Sequence, residues 1–328
     1  MTTAPGRLPR IALLVGVALT LTSLPPTIAA TGNDPFDRGL AGIRLRVRDV
    51  VIPYREFAVF ALPGERVALE LVARGSTRYR LDDDGVEVKP TSAGHWSWRA
   101  PAAPGLRRLT LSTEGGDTAM RLNAFVMVPA SEVRDGRLDG YGIGDYPAKP
   151  LKGMAIYRPP RGFIRLTDEV AGVHVSPHFT LGQFRCKQDG GPPAYLVLRE
   201  QLPLKLESLL DLVNRHGIRT DSFHVMSGFR TPAYNRAIGN RPYSRHMWGG
   251  AADIFVDVAP ADGVMDDLDG NGRIDEKDAA VLYDLIDAES SRPTFREHVG
   301  GLGNYGSTAS HGPFVHVDAR GFRARWGR

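Results

Sequence analysis

Between residues 36 and 130 the chain is built from short runs in which apolar and polar residues alternate. The runs occupy 44–48, 67–72, 96–98, 109–112 and 122–128. Successive side chains of a strand point to opposite faces, so alternation with period two predicts half-buried strands. Turn-forming clusters, such as Glu114-Gly115-Gly116, separate the runs. About seven short strands without a helical period predict an antiparallel β-sandwich, which we interpret as a spacer or binding module.

The remainder of the chain requires a second domain. With 328 residues the chain exceeds the ~100–200 residues of a typical domain. Residues 131–175 are rich in Gly, Pro and Tyr and are predicted to be a connector that proline keeps extended. The apolar spacing over 196–215 predicts an amphipathic helix, and 223–226 is a predicted strand. We therefore expect a multidomain protein, with an N-terminal all-β sandwich at 36–130 and a C-terminal α+β domain at 176–328.

The first thirty residues have the pattern of a secretory signal peptide. Arg7 and Arg10 precede an apolar run at 11–19, and the small residues Ala29 and Ala30 follow it. The run is too short to cross the ~30 Å of a bilayer core comfortably, although an uncleaved anchor is the alternative. We therefore expect an exported protein, periplasmic or secreted, with no stable membrane insertion once the signal is cleaved.

Charge and cysteine content narrow the possible partners. Removal of residues 1–30 takes away two Arg and no acid, so the net charge falls from +4 to +2. A charge this small gives no reason to expect a nucleic-acid partner. The single cysteine, Cys186, excludes an intramolecular disulfide. Because no second Cys or paired His is close to it in sequence, we interpret Cys186 as a small buried residue rather than a reactive thiol.

Three segments of the second domain carry residues suited to binding a metal. His246 precedes a Gly-Gly pair, Asp253 opens an alternating run, and His316 lies between two valines. The spacing predicts one ligand in a loop and two on strands. Two imidazoles and one carboxylate leave a fourth tetrahedral position for water, which is the arrangement of a catalytic zinc site. Arg230, just after a predicted strand, is suited to hold a substrate carboxylate through a bidentate pair.

The motifs around these residues resemble the M15 peptidases, which are zinc D-alanyl-D-alanine carboxypeptidases and murein endopeptidases. The motifs are Ser227-Gly228-Phe229-Arg230-Thr231-Pro232, then Ser244, His246 and Asp253 in a Ser-x-His-x6-Asp pattern, and Phe314-Val315-His316-Val317-Asp318. The resemblance covers roughly residues 175–328 and is closest to the YcbK-like (DUF882) branch. It implies an α+β zinc peptidase fold, zinc held by His246, Asp253 and His316, and Arg230 in the active site.

The chain departs from the M15 pattern at the position of the general base. Family members commonly place Glu or His two or three residues before the last ligand, whereas this chain has Phe314 and Pro313 there. The nearest titratable candidates are His311 and Asp318. Asp318 is predicted to lie on the same strand face as His316 and to orient its imidazole. His311 is then either the general base or a loop histidine without a catalytic role.

A second metal site is predicted within an insertion at about residues 259–290. Its segment matches a 12-residue calcium loop, with Asp267, Asp269, Asn271, the Arg273 carbonyl, Asp275 and Asp278 at the ligand positions. A glycine stands at the sixth position and an apolar-striped helix is predicted to follow. The alternative is an acidic surface turn. We expect calcium to have a structural role here, stiffening the segment that leads to His316.

The predicted zinc ligands and the resemblance to M15 peptidases together predict a zinc metallopeptidase that cleaves peptide stems or cross-links of peptidoglycan, as a D,D-carboxypeptidase or an endopeptidase. The expected partner is peptidoglycan, and the expected cofactors are zinc and structural calcium. The apolar residues at the base position keep a second hypothesis open. On that hypothesis the chain is a non-catalytic peptidoglycan-binding or scaffolding protein that retains the zinc-binding fold.

Overall fold

The structure is a computed structural model that describes residues 1–2, 36–72 and 77–327. The predicted signal peptide therefore lies, apart from its first two residues, outside the described residues. Among the residues that are described, no helix combines the length and the apolar character needed to cross a membrane.

Two five-stranded sheets make up the first part of the chain. Their strands are β1 (Leu40–Val47), β2 (Val50–Tyr54), β3 (Glu56–Ala61), β4 (Arg66–Leu71), β5 (Tyr79–Asp83), β6 (Val86–Val88), β7 (Pro90–Ser92), β8 (His95–Arg99), β9 (Gly105–Thr113) and β10 (Thr118–Val126). The sheet orders are β2-β1-β4-β8-β7 and β3-β10-β9-β5-β6. Each of the five predicted runs falls on a strand, and β3 pairs with β10 in parallel rather than antiparallel fashion.

Inward-facing side chains of both sheets form one apolar core. Leu45, Leu69 and Trp98 from the first sheet pack in the same cluster as Leu109 and Leu122 from the second. Burial alternates along β4 and β8, as the sequence pattern predicts for strands covered on one face. The arrangement is thus a sandwich of two sheets.

The segment predicted to be a connector, residues 131–175, packs into a second apolar cluster, distinct from that of the sandwich. Strand β11 (Val128–Pro129) precedes this segment. The strands within and after it are β12 (Arg137–Leu138), β13 (Tyr141–Gly142), β14 (Gly162–Leu166), β15 (His174–Ser176), β16 (Phe179–Thr180) and β17 (Ala194–Leu196), with a short helix α1 (Asp168–Ala171). Strand β14 is the middle strand of the sheet β11-β14-β17. Its Phe163 and Ile164 are buried, as is Tyr157 in the turn before it.

Helix α2 spans Gln201–Arg215 and begins later than the apolar spacing predicts. Residues 194–196 form β17 instead, so the helix cannot start at 196. Pro203 lies in the first turn of α2, where its missing N–H has no intrahelical acceptor to lose. Leu202, Leu206 and Leu209 of its apolar face are fully buried.

A third five-stranded sheet carries the residues predicted to bind zinc. It contains β18 (His224–Ser227), β19 (Ala251–Phe255), β20 (Gly301–Tyr305), β21 (Phe314–Asp318) and β22 (Ala324–Trp326). Their order is β18-β19-β21-β20-β22, and only the β20–β22 pairing is parallel. Helices α3 (Pro232–Ala237) and α4 (Glu276–Ser290) complete this part, and α4 packs against β20 and β21. Strands and helices alternate irregularly, which is α+β architecture.

Candidate metal centre

Two of the predicted ligands lie opposite each other on neighbouring strands. Asp253 of β19 and His316 of β21 are direct partners in the antiparallel register. Directly opposite residues project from the same face with Cβ atoms about 5 Å apart, so the pairing itself brings the two side chains together. Both residues are buried.

The third residue, His246, reaches the same place from a short 3₁₀ turn, Arg245–Trp248, rather than from an irregular loop. Gly249 ends this turn in the left-handed region with φ of 62°. A Cβ at Gly249 would lie 2.1 Å from the carbonyl oxygen of Val197, so only glycine fits. The turn therefore delivers His246 and returns the chain directly into β19.

The donor atoms of the three residues form a nearly equilateral triangle. Asp253 Oδ1 lies 2.8 Å from His316 Nδ1 and 3.2 Å from His246 Nε2. His246 Nε2 and His316 Nδ1 are 3.2 Å apart. Ligands at ~2.0–2.1 Å from a tetrahedral zinc ion are about 3.3 Å from one another. The triangle matches one face of such a tetrahedron, and these residues fit the metal that the sequence predicts. We call them the His246–Asp253–His316 group.

A second set of contacts holds the two imidazoles of this group from behind. The outward nitrogen of His246, Nδ1, lies 2.6 Å from the Gly228 carbonyl oxygen. The Nε2 of His316 lies 3.2 Å from Asp318 Oδ2, which is the contact that the sequence predicts. Each imidazole thereby directs its other nitrogen toward Asp253 Oδ1 at the shared centre, an orientation typical of metal-binding histidines.

Arg230 contacts Asp253, one of the three predicted metal ligands. Its Nη2 donates to Asp253 Oδ2, and its Nε donates to Ser227 Oγ at 2.9 Å. The sequence predicts contact between this arginine and a substrate carboxylate. The structure instead places two of its nitrogens on protein atoms, while the residue still lines the cavity described below.

Protonation states in the group suit metal binding. Burial lowers the pKa of His246. Burial alone would raise the pKa of Asp253, but the adjacent His246 and His316 hold it well below its usual range. Burial opposes the proton on His316, whereas hydrogen bonds to Asp253 and Asp318 raise the pKa of this imidazole. A metal ion would therefore replace the His316 Nδ1 proton.

The group opens onto a cavity of about 1320 Å³. Among the described residues that line it, five are basic and one, Asp253, is acidic. The basic residues are Lys187, Arg230, Arg241, Arg245 and Arg320. On the lining there are also three aromatic residues near the end of the chain, Tyr305, Phe314 and Trp326. The cavity thus suits a ligand that combines negative charge with apolar groups.

The two candidates for the general base differ in position. His311 lines the cavity, and its ring meets Phe314 edge-on at 5.0 Å between centroids. Its Nδ1 lies 2.8 Å from the Gly312 carbonyl oxygen. Asp318 is fully buried behind His316 and accepts hydrogen bonds from Arg320 and the Gly301 N–H. Burial would raise the pKa of Asp318, but the hydrogen bonds and charges of His316 and Arg320 lower it, so its carboxylate is ionised and engaged.

The predicted calcium loop brings together three of its carboxylates. Ligand oxygens of Asp267, Asp269 and Asp278 all lie within 4.8 Å of one another. The Asp275 side chain instead caps helix α4 by accepting from the Lys277 N–H. The remaining two positions contact each other, because the Arg273 N–H donates to Asn271 Oδ1. Calcium binding by this loop stays a prediction.

In the part of the chain that follows the sandwich, hereafter the second part, comparison with known protein families finds a match. The sequence model of the family described as Peptidase M15 matches residues 177–268. Residues 177–268 are similar to M15 peptidases. This M15-like segment contains Arg230, His246 and Asp253, and His316 lies beyond it. The assignment to the YcbK-like branch stays a prediction.

The remaining comparisons add little to the M15-like segment. No curated protein matches the chain. One similar solved structure is that of the fibronectin(III)-like modules of Clostridium thermocellum CbhA, at 15% identity and a TM-score of 0.18. The likeness covers 25% of this chain and 94% of that one. A TM-score this low supports no conclusion about fold or function.

Two arginines that support the His246–Asp253–His316 group from a distance were not predicted from the sequence. Arg320 holds Asp318, and Arg245 donates to the Ile156 carbonyl oxygen and so joins the turn that carries His246 to the predicted connector. The spacing of Asp318 and Arg320, two residues apart, was an available signal for the first contact. No local pattern indicates the second, because residues 156 and 245 are far apart in sequence.

Proposed function

We propose that the chain is an exported zinc metallopeptidase that cleaves peptide stems or cross-links of peptidoglycan. The observation that carries the proposal is the triangle of donor atoms in the His246–Asp253–His316 group, which faces a cavity large enough for a peptide. Three protein ligands leave the fourth position for water, as in catalytic rather than structural zinc sites. The similarity of residues 177–268 to M15 peptidases supports the same conclusion.

Arg230, Asp318 and His311 have different roles in the proposed hydrolysis. When bound, zinc supplies Lewis-acid polarisation of the scissile carbonyl and lowers the pKa of its bound water to ~7 in favourable sites. Arg230 fixes the orientation of Asp253 and, from the cavity lining, is placed to stabilise negative charge that develops on the substrate. Asp318 holds the His316 imidazole in one orientation. His311 is our candidate for moving the proton to the leaving amine.

The charge of the cavity supports a substrate with free carboxylates. Lys187 and Arg241 are exposed on its lining, beyond the basic residues that already contact protein groups. Peptide stems of peptidoglycan carry such carboxylates, and the open cavity admits a peptide chain. Export, whether to the periplasm or beyond the cell, follows from the signal-like N-terminus and belongs to the same proposal.

Digestion of purified sacculi tests the function. We expect zinc-loaded wild-type protein to release D-amino acids or peptides, which are separated by chromatography and identified by mass. Protein stripped with a chelator should release none, and stoichiometric Zn²⁺ should restore the release. Stripped and reloaded protein with no release, in a preparation whose zinc content is one per chain, would contradict hydrolysis.

One observation favours a second candidate, a peptidoglycan-binding protein without turnover. Phe314, at the position of the usual base, is buried and stacks on Tyr305 at 4.6 Å between ring centroids. No proton acceptor takes its place within the strand β21 before His316, because Val315 is the only residue between them. Co-sedimentation with sacculi without release of fragments would favour this candidate.

A further inference from the structure

The C-terminal strand β22 places an indole ring next to the metal centre. The ring of Trp326 lies 5.1 Å from the His316 ring, between centroids, at an interplanar angle of 49°. The Trp326 Nε1–H donates to the Tyr305 hydroxyl at 2.8 Å. These two contacts fix the indole at the edge of the cavity, and Trp326 is part of the cavity lining.

A glycine makes this approach possible. Gly303 of β20 is the register partner of His316 on one side and of Trp326 on the other. The three residues thus form a row across β21, β20 and β22. A Cβ at Gly303 would lie 2.2 Å from Trp326 Nε1 and 2.5 Å from its Cε2. Because Gly303 has no side chain, the indole extends over the middle strand and reaches the imidazole.

Trp326 also belongs to a closed series of side-chain contacts behind His316. The Arg320 guanidinium lies 5.3 Å from the Trp326 ring centre, within the range of a cation–π contact. The Nε of Arg320 lies 2.9 Å from each oxygen of the Asp318 carboxylate. Asp318 in turn contacts His316 Nε2 at 3.2 Å. Trp326 thus contacts Arg320, Arg320 contacts Asp318, and Asp318 contacts His316, whose ring lies next to Trp326.

We propose that Trp326 is a positioning residue of the metal centre, acting on the ligand His316. The indole fixes the imidazole from one face and orients Arg320, which holds Asp318. The proposal rests on the proposed function only in so far as the His246–Asp253–His316 group binds zinc, and the peptide substrate plays no part in it.

Zinc affinity tests the proposal without reference to activity. Apo-protein is titrated with Zn²⁺ against a chromophoric chelator, and the folded fraction of each variant is measured under the same conditions. We expect Trp326→Ala to weaken zinc binding ~10–100-fold, the loss typical when an outer partner of a metal ligand is removed. Trp326→Phe, which keeps a ring beside His316, should recover most of the affinity.

Two further variants guard against a merely structural effect. Gly303→Ala displaces the indole without removing it and should weaken zinc binding as Trp326→Ala does. Phe322→Ala is the matched control, because Phe322 also lies over Arg320, at 5.7 Å, but on an exposed turn. It should leave the affinity unchanged. Trp326→Ala with wild-type affinity, or with a loss explained by its unfolded fraction alone, overturns the proposal. A wild-type protein that binds no zinc overturns the proposed function and this inference with it.

Discussion

His246 is the residue whose removal most directly separates metal binding from folding. Its Nε2 is a corner of the donor triangle, whereas the sandwich core lies in a different cluster of residues. We expect His246→Ala to abolish stoichiometric zinc, measured by elemental analysis, and to leave the β-rich circular dichroism spectrum unchanged. His216→Ala, at an exposed position after α2, is the control and should retain its zinc. Normal zinc content in His246→Ala would refute the ligand assignment.

Substitutions of His311 and Asp318 are expected to have different effects on activity and on zinc binding. A general base contributes typically ~10²–10⁴-fold to the rate, so His311→Ala should lose at least about 100-fold in peptidoglycan hydrolysis with its zinc retained. Asp318→Asn should instead weaken zinc binding, because Asp318 holds His316 and does not line the cavity. Full activity of His311→Ala would show that His311 is not the base.

At the scale of elements, the sequence predicts which segments form strands better than it predicts which residues lie beside the His246–Asp253–His316 group. Alternation with period two located the sandwich strands, and His316 falls on the strand expected for it. The row formed by His316, Gly303 and Trp326 could not be predicted, because it depends on the register of three strands. Composition likewise indicates a connector at 131–175, but cannot show that Tyr157 packs against the turn that carries His246.

The packing of Tyr157 predicts that the segment before β14 contributes to the stability of the folded state. Arg199 and Arg245 both donate to the Ile156 carbonyl oxygen, and the Tyr157 ring meets Trp248 edge-on at 5.2 Å. We expect Tyr157→Ala to lower the free energy of unfolding by ~3–5 kcal/mol, as for other buried aromatic residues, in urea titrations. Tyr157→Phe keeps the ring and should cost less than about 1 kcal/mol. Equal losses in both variants would contradict the packing argument.

The calcium loop makes the second prediction at this scale. If Asp267, Asp269 and Asp278 bind Ca²⁺ in the ~10⁻⁴–10⁻³ M range of extracellular modules, millimolar Ca²⁺ should raise the Tm of the wild type. Asp267→Ala should remove this increase. Glu87→Ala, which removes an exposed carboxylate from the sandwich, should keep it. A wild-type melting curve that does not respond to Ca²⁺ would show that the loop is an acidic surface turn.

At the scale of the whole molecule, the sandwich and the second part share an interface with both apolar and polar contacts. The Asn123 side chain donates to Glu56 and to the His174 carbonyl oxygen, at 2.8 Å each. Phe36, ahead of β1, stacks on His178 at 4.8 Å between centroids. These contacts are buried or half-buried, so neither part keeps its native surroundings when the other unfolds. We therefore expect one cooperative unfolding transition rather than two.

The same interface predicts how stability depends on pH. Burial opposes the charged form of His178, but the hydrogen bond from its Nδ1 to Glu207, at 2.7 Å, and the Asp37 carboxylate raise its pKa above the usual 6.5. Because the folded state holds this proton more tightly, the stabilisation is complete below about pH 6.5 and is lost as the pH rises through the folded-state pKa. Scanning calorimetry between pH 6 and 9 should therefore show a decline of Tm that is shallower in His178→Gln. The absolute Tm of that variant also falls, since Glu207 Oε2 loses the imidazole and only Glu207 Oε1 keeps its bond from the backbone N–H of residue 178, so the slope is the quantity to compare. His216→Gln should keep the wild-type slope, and an unchanged slope in His178→Gln would show that the His178–Glu207 pair does not couple protonation to folding.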